Sequence, residues 1–250
     1  MKQRVIGAFF VILYAVFMII SPYKFYVSLV YLLGVGMISE LSNFTGLKDS
    51  KTPIVVIFSI LFFVGIYISH LSFLLPTAAI IFLFGYFIII EGKVPNKFLA
   101  IAGFFVYLLI GVIAIGKLSK GYFVLLLSIV WSVDTFAYLV GKYFGKRKLI
   151  PEISPKKTVE GAIGGAIGGV VVSLIIGKYL GIFEVSLLTA FSLFVLTIIS
   201  QIGDLIESYI KRVFGVKDSG TIIPGHGGLL DRLDSSIAVA PFLVVFGGLQ

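Results

Sequence analysis

Residues 224–234 read PGHGGLLDRLD, which sets His226, Asp231, Arg232 and Asp234 among Gly225, Gly227 and Gly228 in a chain with only 13% charged residues. Just upstream lie Lys211, Arg212, Lys217 and Asp218. Lysine and arginine hold phosphate oxygens, and carboxylates hold the divalent cations that bridge them, so the mixture suits a polyphosphate with metal. The glycines let backbone N–H groups come close to a ligand and permit positive φ. His226 can donate to a phosphate. A loop required only for solubility has no need of glycines flanking a histidine.

A second group of acids lies within apolar runs, where an ionisable side chain costs several kcal/mol unless it finds a partner, water or a metal. Two predicted spans carry them. In SQIGDLIESYIKR, Asp204 and Glu207 share a helical face, with Gln201 one turn before Asp204 and Lys211 one turn after Glu207. The Glu207–Lys211 spacing also fits a purely structural ion pair. Asp204 lies deeper, has no base one turn away, and is harder to explain structurally. In WSVDTFAYLVGKYFGK, Asp134 lies about two turns from the helix end; a ligand contact and a hydrogen bond to Ser or Tyr of a neighbouring helix are both open to it. The tract EGAIGGAIGG at 160–169 lacks the Lys-Ser/Thr of a phosphate loop. Gly161, Gly165 and Gly169 form a stripe of small residues suited to close helix packing.

The elements that must position these groups follow from composition. Of the 250 residues 59% are hydrophobic, and mean hydropathy is +1.12. A soluble domain could not cover that much apolar surface, so the expected fold is all-α, a polytopic integral membrane protein. Apolar runs at 5–20, 24–41, 53–69, 72–90, 97–116, 121–141, 160–180, 184–209 and 235–249 predict about nine transmembrane helices. The first follows basic residues but lacks a small-residue cleavage site, and it reads as a span, not a leader. With that count, Lys24, Lys117, Lys120 and Lys178 fall on one side, and every other Lys and Arg falls on the N-terminal side. Positive charge favours the cytoplasm, so the N-terminus and the loops 142–159 and 210–234 are expected there, at the plasma (inner) membrane. The net charge of +8 then reflects topology and gives no reason to expect nucleic acid. The absence of cysteine excludes disulfides and thiolate metal sites. The chain divides into N-terminal spans, 1–95, and a C-terminal region, 96–250, that carries both polar loops.

The run from Ser208 through Lys211, Arg212, Lys217, Asp218, Gly220, Ile223, Pro224, His226, Gly227, Gly228, Leu229, Asp231, Arg232 and Leu233 to Asp234 resembles, without departure, the signature of phosphatidate cytidylyltransferases (CDP-diacylglycerol synthases). SPKKTVEG at 154–161 and DTFAYLVGKYFGK at 134–146 are similar to further motifs of that family. The N-terminal half resembles it only in being several spans.

That resemblance implies transfer of the cytidylyl group of CTP to phosphatidic acid at the bilayer surface, giving CDP-diacylglycerol and pyrophosphate. It implies Asp204 and Asp231 as metal ligands, with Asp218 and Asp234 in support, and Mg2+ in two divalent or mixed cation sites. Asp204, Asp231, Lys211 and Arg232 are the expected catalytic set. Asp134, Lys156, Lys157, Thr158, Arg212, Lys217, His226, Gly227 and Gly228 are the expected substrate contacts, undivided between CTP and lipid. The resemblance also implies a homodimer, for which spans 1–95 are available. The nucleophile is already an anion, so His226 is not expected to act as a base. Competing readings are a CDP-archaeol synthase, a CTP-dependent polyprenol kinase, and an ion-coupled secondary transporter. The transporter is disfavoured by the lack of an internal repeat, and the carboxylate pattern of CDP-alcohol phosphotransferases is absent.

Overall fold

The computed structural model describes residues 2–67, 97–223 and 227–247. In chain order these form α1 (Lys2–Ile20), α2 (Tyr23–Phe44), α3 (Lys51–Tyr67), α4 (Lys97–Lys117), α5 (Lys120–Phe144), β1 (Lys148–Ile150), β2 (Ser154–Thr158), α6 (Val159–Tyr179), α7 (Leu187–Val213) and α8 (Leu230–Val245). Helices predominate because in an apolar medium each backbone N–H and C=O must be satisfied within its own segment. Among the described residues, five helices are long and apolar enough to cross a membrane: α2, α4, α5, α6 and α7. The expected spans 5–20, 53–69 and 235–249 correspond to helices too, but their apolar segments are shorter. The expected span 72–90 lies outside the described residues.

The predicted polar loop 142–159 is in part ordered secondary structure. Lys148 pairs with Thr158 and Ile150 with Ser154 in an antiparallel hairpin. Its turn is anchored by Ile153, which is buried and donates its N–H to the Ile150 carbonyl at 3.2 Å. Thr158 ends β2 and caps α6, its Oγ1 accepting from the Gly161 N–H at 3.1 Å. Glu160 accepts from the N–H groups of Lys146 and Arg147 at 3.0 and 3.1 Å, which ties the hairpin to the end of α5.

The core centres on α4, whose Phe104, Tyr107, Leu108 and Ile113 are almost fully buried against α2, α3 and α8. Two close helix approaches depend on missing side chains. A Cβ on Gly165 would stand 2.9 Å from the Val133 carbonyl oxygen, so α6 lies directly on the α5 backbone, as the stripe of small residues predicts. A Cβ on Gly203 would stand 2.6 Å from the Ala238 Cβ and 2.9 Å from the Asp234 backbone carbonyl oxygen. That contact presses α7 onto α8 and brings the acidic ends of both helices to one place. Outward faces carry Phe9 and Phe10 on α1, Ile60 and Val64 on α3, and Ile163, Ile167 and Ile175 on α6, as a lipid-facing surface should.

Candidate active site

The acidic face of α7, the first turn of α8 and the middle of α5 enclose a polar cavity of about 590 Å³. Asp134, Asp204, Glu207, Lys211, Asp218, Asp231, Arg232 and Asp234 all line it. The structure therefore brings together the residues drawn from two predicted spans and the loop 210–234. Six carboxylates against Lys211 and Arg232 leave the lining with an excess of negative charge.

Two further cavities adjoin. One, of about 310 Å³, shares Asp134 and Asp204 with the first and adds Tyr138, Lys142, Lys156, Lys157, Thr158 and Gln201 from α5, β2 and α7. The other, of about 360 Å³, is almost wholly apolar. It runs between α1, α2 and α5 along Tyr14, Leu33, Phe123 and Leu127, and shares Val11, Trp131 and Arg232 with the polar cavity. Arg232 thus stands where polar and apolar chambers meet.

Lysines hold two of the key carboxylates. Lys157 Nζ lies 2.5 Å from Asp204 Oδ2, and the Ser208 hydroxyl donates to Asp204 Oδ1 at 3.3 Å. The base that Asp204 lacks along its own helix is supplied from β2. Lys211 Nζ lies 2.5 Å from both Glu207 Oε2 and Asp231 Oδ1, and Glu207 is only 2% exposed. The Glu207–Lys211 spacing is thus used as an ion pair, extended to a third partner. Asp231 also accepts from the Gly228 N–H at 2.8 Å and the Ser219 N–H at 3.1 Å. Burial alone would raise the pKa of Asp231, but the Lys211 ammonium and these amides outweigh it and hold it below the ordinary aspartate value. Folding therefore favours the ionised form, and the resulting stabilisation is intact above the unfolded value and lost as pH falls through the lower folded one.

The structure separates other expected contacts from the cavities. Arg212 donates from Nε to the Ile153 carbonyl at 3.2 Å and from Nη1 to the Val216 carbonyl at 2.8 Å, strapping the hairpin turn to the end of α7. Lys217 is exposed and lines none of the three cavities. Gly227 takes a positive φ of 87°, and a Cβ there would meet Asp231 Oδ2 at 2.5 Å. The Gly228 amide, expected to face a phosphate, is directed at Asp231 instead. His226 lies outside the described residues. Thr158 lines the basic cavity while serving as a helix cap.

One residue escaped the sequence reading, which assigned intramembrane acids to two spans only. Glu40 of α2 is a third case, 2% exposed. Its Oε1 accepts from the Leu229 N–H at 2.9 Å, and its Oε2 from the Leu230 N–H and the Ser219 hydroxyl, both at 3.0 Å. The signal was present: a lone acid within the apolar run 24–41.

Among the described residues, no three carboxylate or imidazole side chains converge closely enough to form a ready-made metal cage. The donor set nonetheless fits a hard cation of the magnesium type, which takes one or two carboxylates and completes its shell with water and substrate phosphates. Asp204 and Asp234 are the better candidates by this geometry. Asp204 is 29% exposed in the cavity, and Asp234 Oδ1 accepts only from the neighbouring Ser235 N–H among the contacts described. Asp231 is only 9% exposed and is held by Lys211 and two backbone amides, whereas Asp204 is held by one lysine and one hydroxyl.

A model of the cytidylyltransferase family matches residues 2–249. Phosphatidate cytidylyltransferase of Bacillus subtilis (strain 168) is 45% identical over 122 residues, covering 46% of this chain and 43% of that protein. Phosphatidate cytidylyltransferase of Staphylococcus epidermidis (strain ATCC 12228 / FDA PCI 1200) is 45% identical over 115 residues, covering 46% and 44%. The Staphylococcus aureus (strain COL) protein of the same name is 47% identical over 116 residues, again covering 46% and 44%. The matched stretches thus span less than half the length of these curated relatives.

Proposed function

The chain belongs to the cytidylyltransferase family, and from that premise we propose that it transfers the cytidylyl group of CTP to phosphatidate, giving CDP-diacylglycerol and pyrophosphate. The observation that carries this reading is the meeting of three cavities of different character. An acid-lined chamber is flanked on one side by a lysine-bearing one and on the other by an apolar one, with Asp204 and Arg232 at the two junctions. A water-soluble triphosphate, a cation and an amphipathic phosphate require such a sequence of environments.

In this reading the lysine-bearing chamber takes CTP. Lys156 and Lys157 meet its phosphates, and Gln201 and Tyr138 lie beside the nucleoside. The apolar chamber takes the acyl chains, and Arg232 holds the phosphatidate phosphate at its mouth. A phosphatidate oxygen attacks the α-phosphorus, the bond from that phosphorus to the β-phosphate bridging oxygen breaks, and pyrophosphate leaves with the electron pair. The attacking oxygen is already anionic, so no side chain needs to remove a proton. The work of the residues is alignment and charge neutralisation. Magnesium, when bound by Asp204 with support from Asp234 and Asp231, supplies neutralisation of the phosphates that this acidic lining could not otherwise accept. Lys157, now paired with Asp204, would then be released to neutralise a CTP phosphate. Asp218 approaches the site from the loop, while Lys211 keeps Asp231 in place.

The same proposal sets the catalytic carboxylates and lysines in residues 96–250 and leaves 1–95, which also lends α1 and α2 to the apolar chamber, open to homodimer formation, with about nine spans in the plasma membrane and the active site on the cytoplasmic side. CTP is cytoplasmic, and the loop charge bias agrees. The test is release of pyrophosphate from CTP by purified protein, dependent on phosphatidate and Mg2+. Turnover with archaeal ether-lipid phosphates in preference to phosphatidate, or with polyprenols, would move the activity to a CDP-archaeol synthase or a kinase. Ion-driven uptake into vesicles without CTP turnover would overturn it.

A further inference from the structure

We propose that Glu40 is a positioning residue for this site, acting from α2 as the cap of α8 and the anchor of the segment that carries Asp231. The first turn of α8 has no cap of its own, because Leu229 occupies the N-cap position and offers no side-chain acceptor. The N–H groups of Leu229 and Leu230 are instead satisfied by the two oxygens of Glu40, at 2.9 and 3.0 Å. A carboxylate is favoured there because the exposed amides give a helix N-terminus partial positive charge.

The link to Asp231 is direct. Ser219 donates its hydroxyl to Glu40 and its amide to Asp231, so one residue bridges the two carboxylates. Gly228 sits in the same nest, its N–H on Asp231. A Cβ on Gly228 would lie 2.4 Å from Glu40 Oε2, and one on Gly220 would lie 2.7 Å from Glu40 Oε1. Both glycines therefore make room for Glu40. The three donors to Glu40 lie 179 to 190 residues away in sequence. Any displacement of Glu40 must pass through Ser219 and Leu230 to the Asp231 carboxylate and its Lys211 partner.

The activity arm of the test rests on the cytidylyl-transfer reading; the exchange arm does not. Glu40→Gln keeps one acceptor oxygen, enough for the Leu230 N–H and the Ser219 hydroxyl, while its NH2 leaves the Leu229 N–H unsatisfied, so its kcat/KM should fall by about tenfold. Glu40→Ala should lose on the order of 100-fold in kcat/KM. Hydrogen exchange should accelerate over residues 217–232 in Glu40→Ala while residues 103–130 keep their protection. Ser219→Ala should fall between the two, and adding it to Glu40→Ala should cost nothing further, because both act through one network. If Glu40→Ala does not fold, Ser219→Ala carries the same comparison. Wild-type turnover and protection in Glu40→Ala, or in Ser219→Ala when that variant stands in, would overturn the proposal. Glu40→Gln as impaired as Glu40→Ala would overturn it too, since charge and not position would then be required. If the unmodified protein releases no pyrophosphate, the functional reading falls and exchange at 217–232 alone decides the role of Glu40.

Discussion

Lys157 and Lys211 divide the acidic residues into two kinds. Lys211 is buried between Glu207 and Asp231, so removing it strands two carboxylates. Lys211→Met should lower stability by about 3–5 kcal/mol, read as thermal unfolding in detergent, with partial recovery on adding Glu207→Gln. Asp204 is partly exposed and held by one lysine. Asp204→Asn should leave the unfolding temperature nearly unchanged while turnover falls on the order of 100-fold and the Mg2+ requirement rises. Unaltered Mg2+ dependence would remove Asp204 from the cation site. At this scale the acids of α7 and α8 were legible, since a carboxylate in an apolar run announces a cost that something must offset. Their partners were not, because Lys157 reaches Asp204 across 47 positions, a separation on which helical periodicity is silent. Glu40 was missed for a related reason: near a helix end it reads as an interfacial charge, and its donors come from the far end of the chain.

The elements around the site are joined by caps and close contacts whose effects are measurable. Thr158 closes β2 and opens α6 with a single hydroxyl, so Thr158→Ala should cost about 1 kcal/mol. Gly165→Leu should be worse, by about 1–3 kcal/mol or more, because its side chain would enter the α5 backbone; that separation should also widen the chamber holding Lys157 and reduce turnover. Differential scanning of the two variants in the same detergent distinguishes them. The glycine stripe was readable because small residues one turn apart have few other uses in a spanning helix. The hairpin was not. Residues 148–158 alternate too briefly for a strand pattern, and the pairing depends on Glu160 and the end of α5 to close it.

For the whole molecule, the orientation proposed from loop charge can be tested because the chain has no cysteine. Single cysteines at positions 148 and 182 should react with impermeant reagents from opposite sides of sealed vesicles, with 148 on the cytoplasmic side. Equal labelling of both from one side would overturn the assigned topology. The broad architecture was legible from hydropathy, whereas the unequal helix lengths were not: apolar runs mark what can lie in lipid, and packing decides how much of each run is helical. α4 shows this most clearly, apolar along its length yet largely enclosed by its neighbours.

Because Val11, Trp131 and Arg232 belong to both an oily recess and a polar one, the proposed reaction would draw its lipid from the bilayer and its nucleotide from water to one junction. On that proposal the lipid is met in two dimensions, at a frequency set by its density in the leaflet and not by its total amount. Diluting phosphatidate with an inert detergent at fixed total amount should slow the reaction as its mole fraction in the micelle falls, whereas diluting the whole suspension at saturating CTP should not.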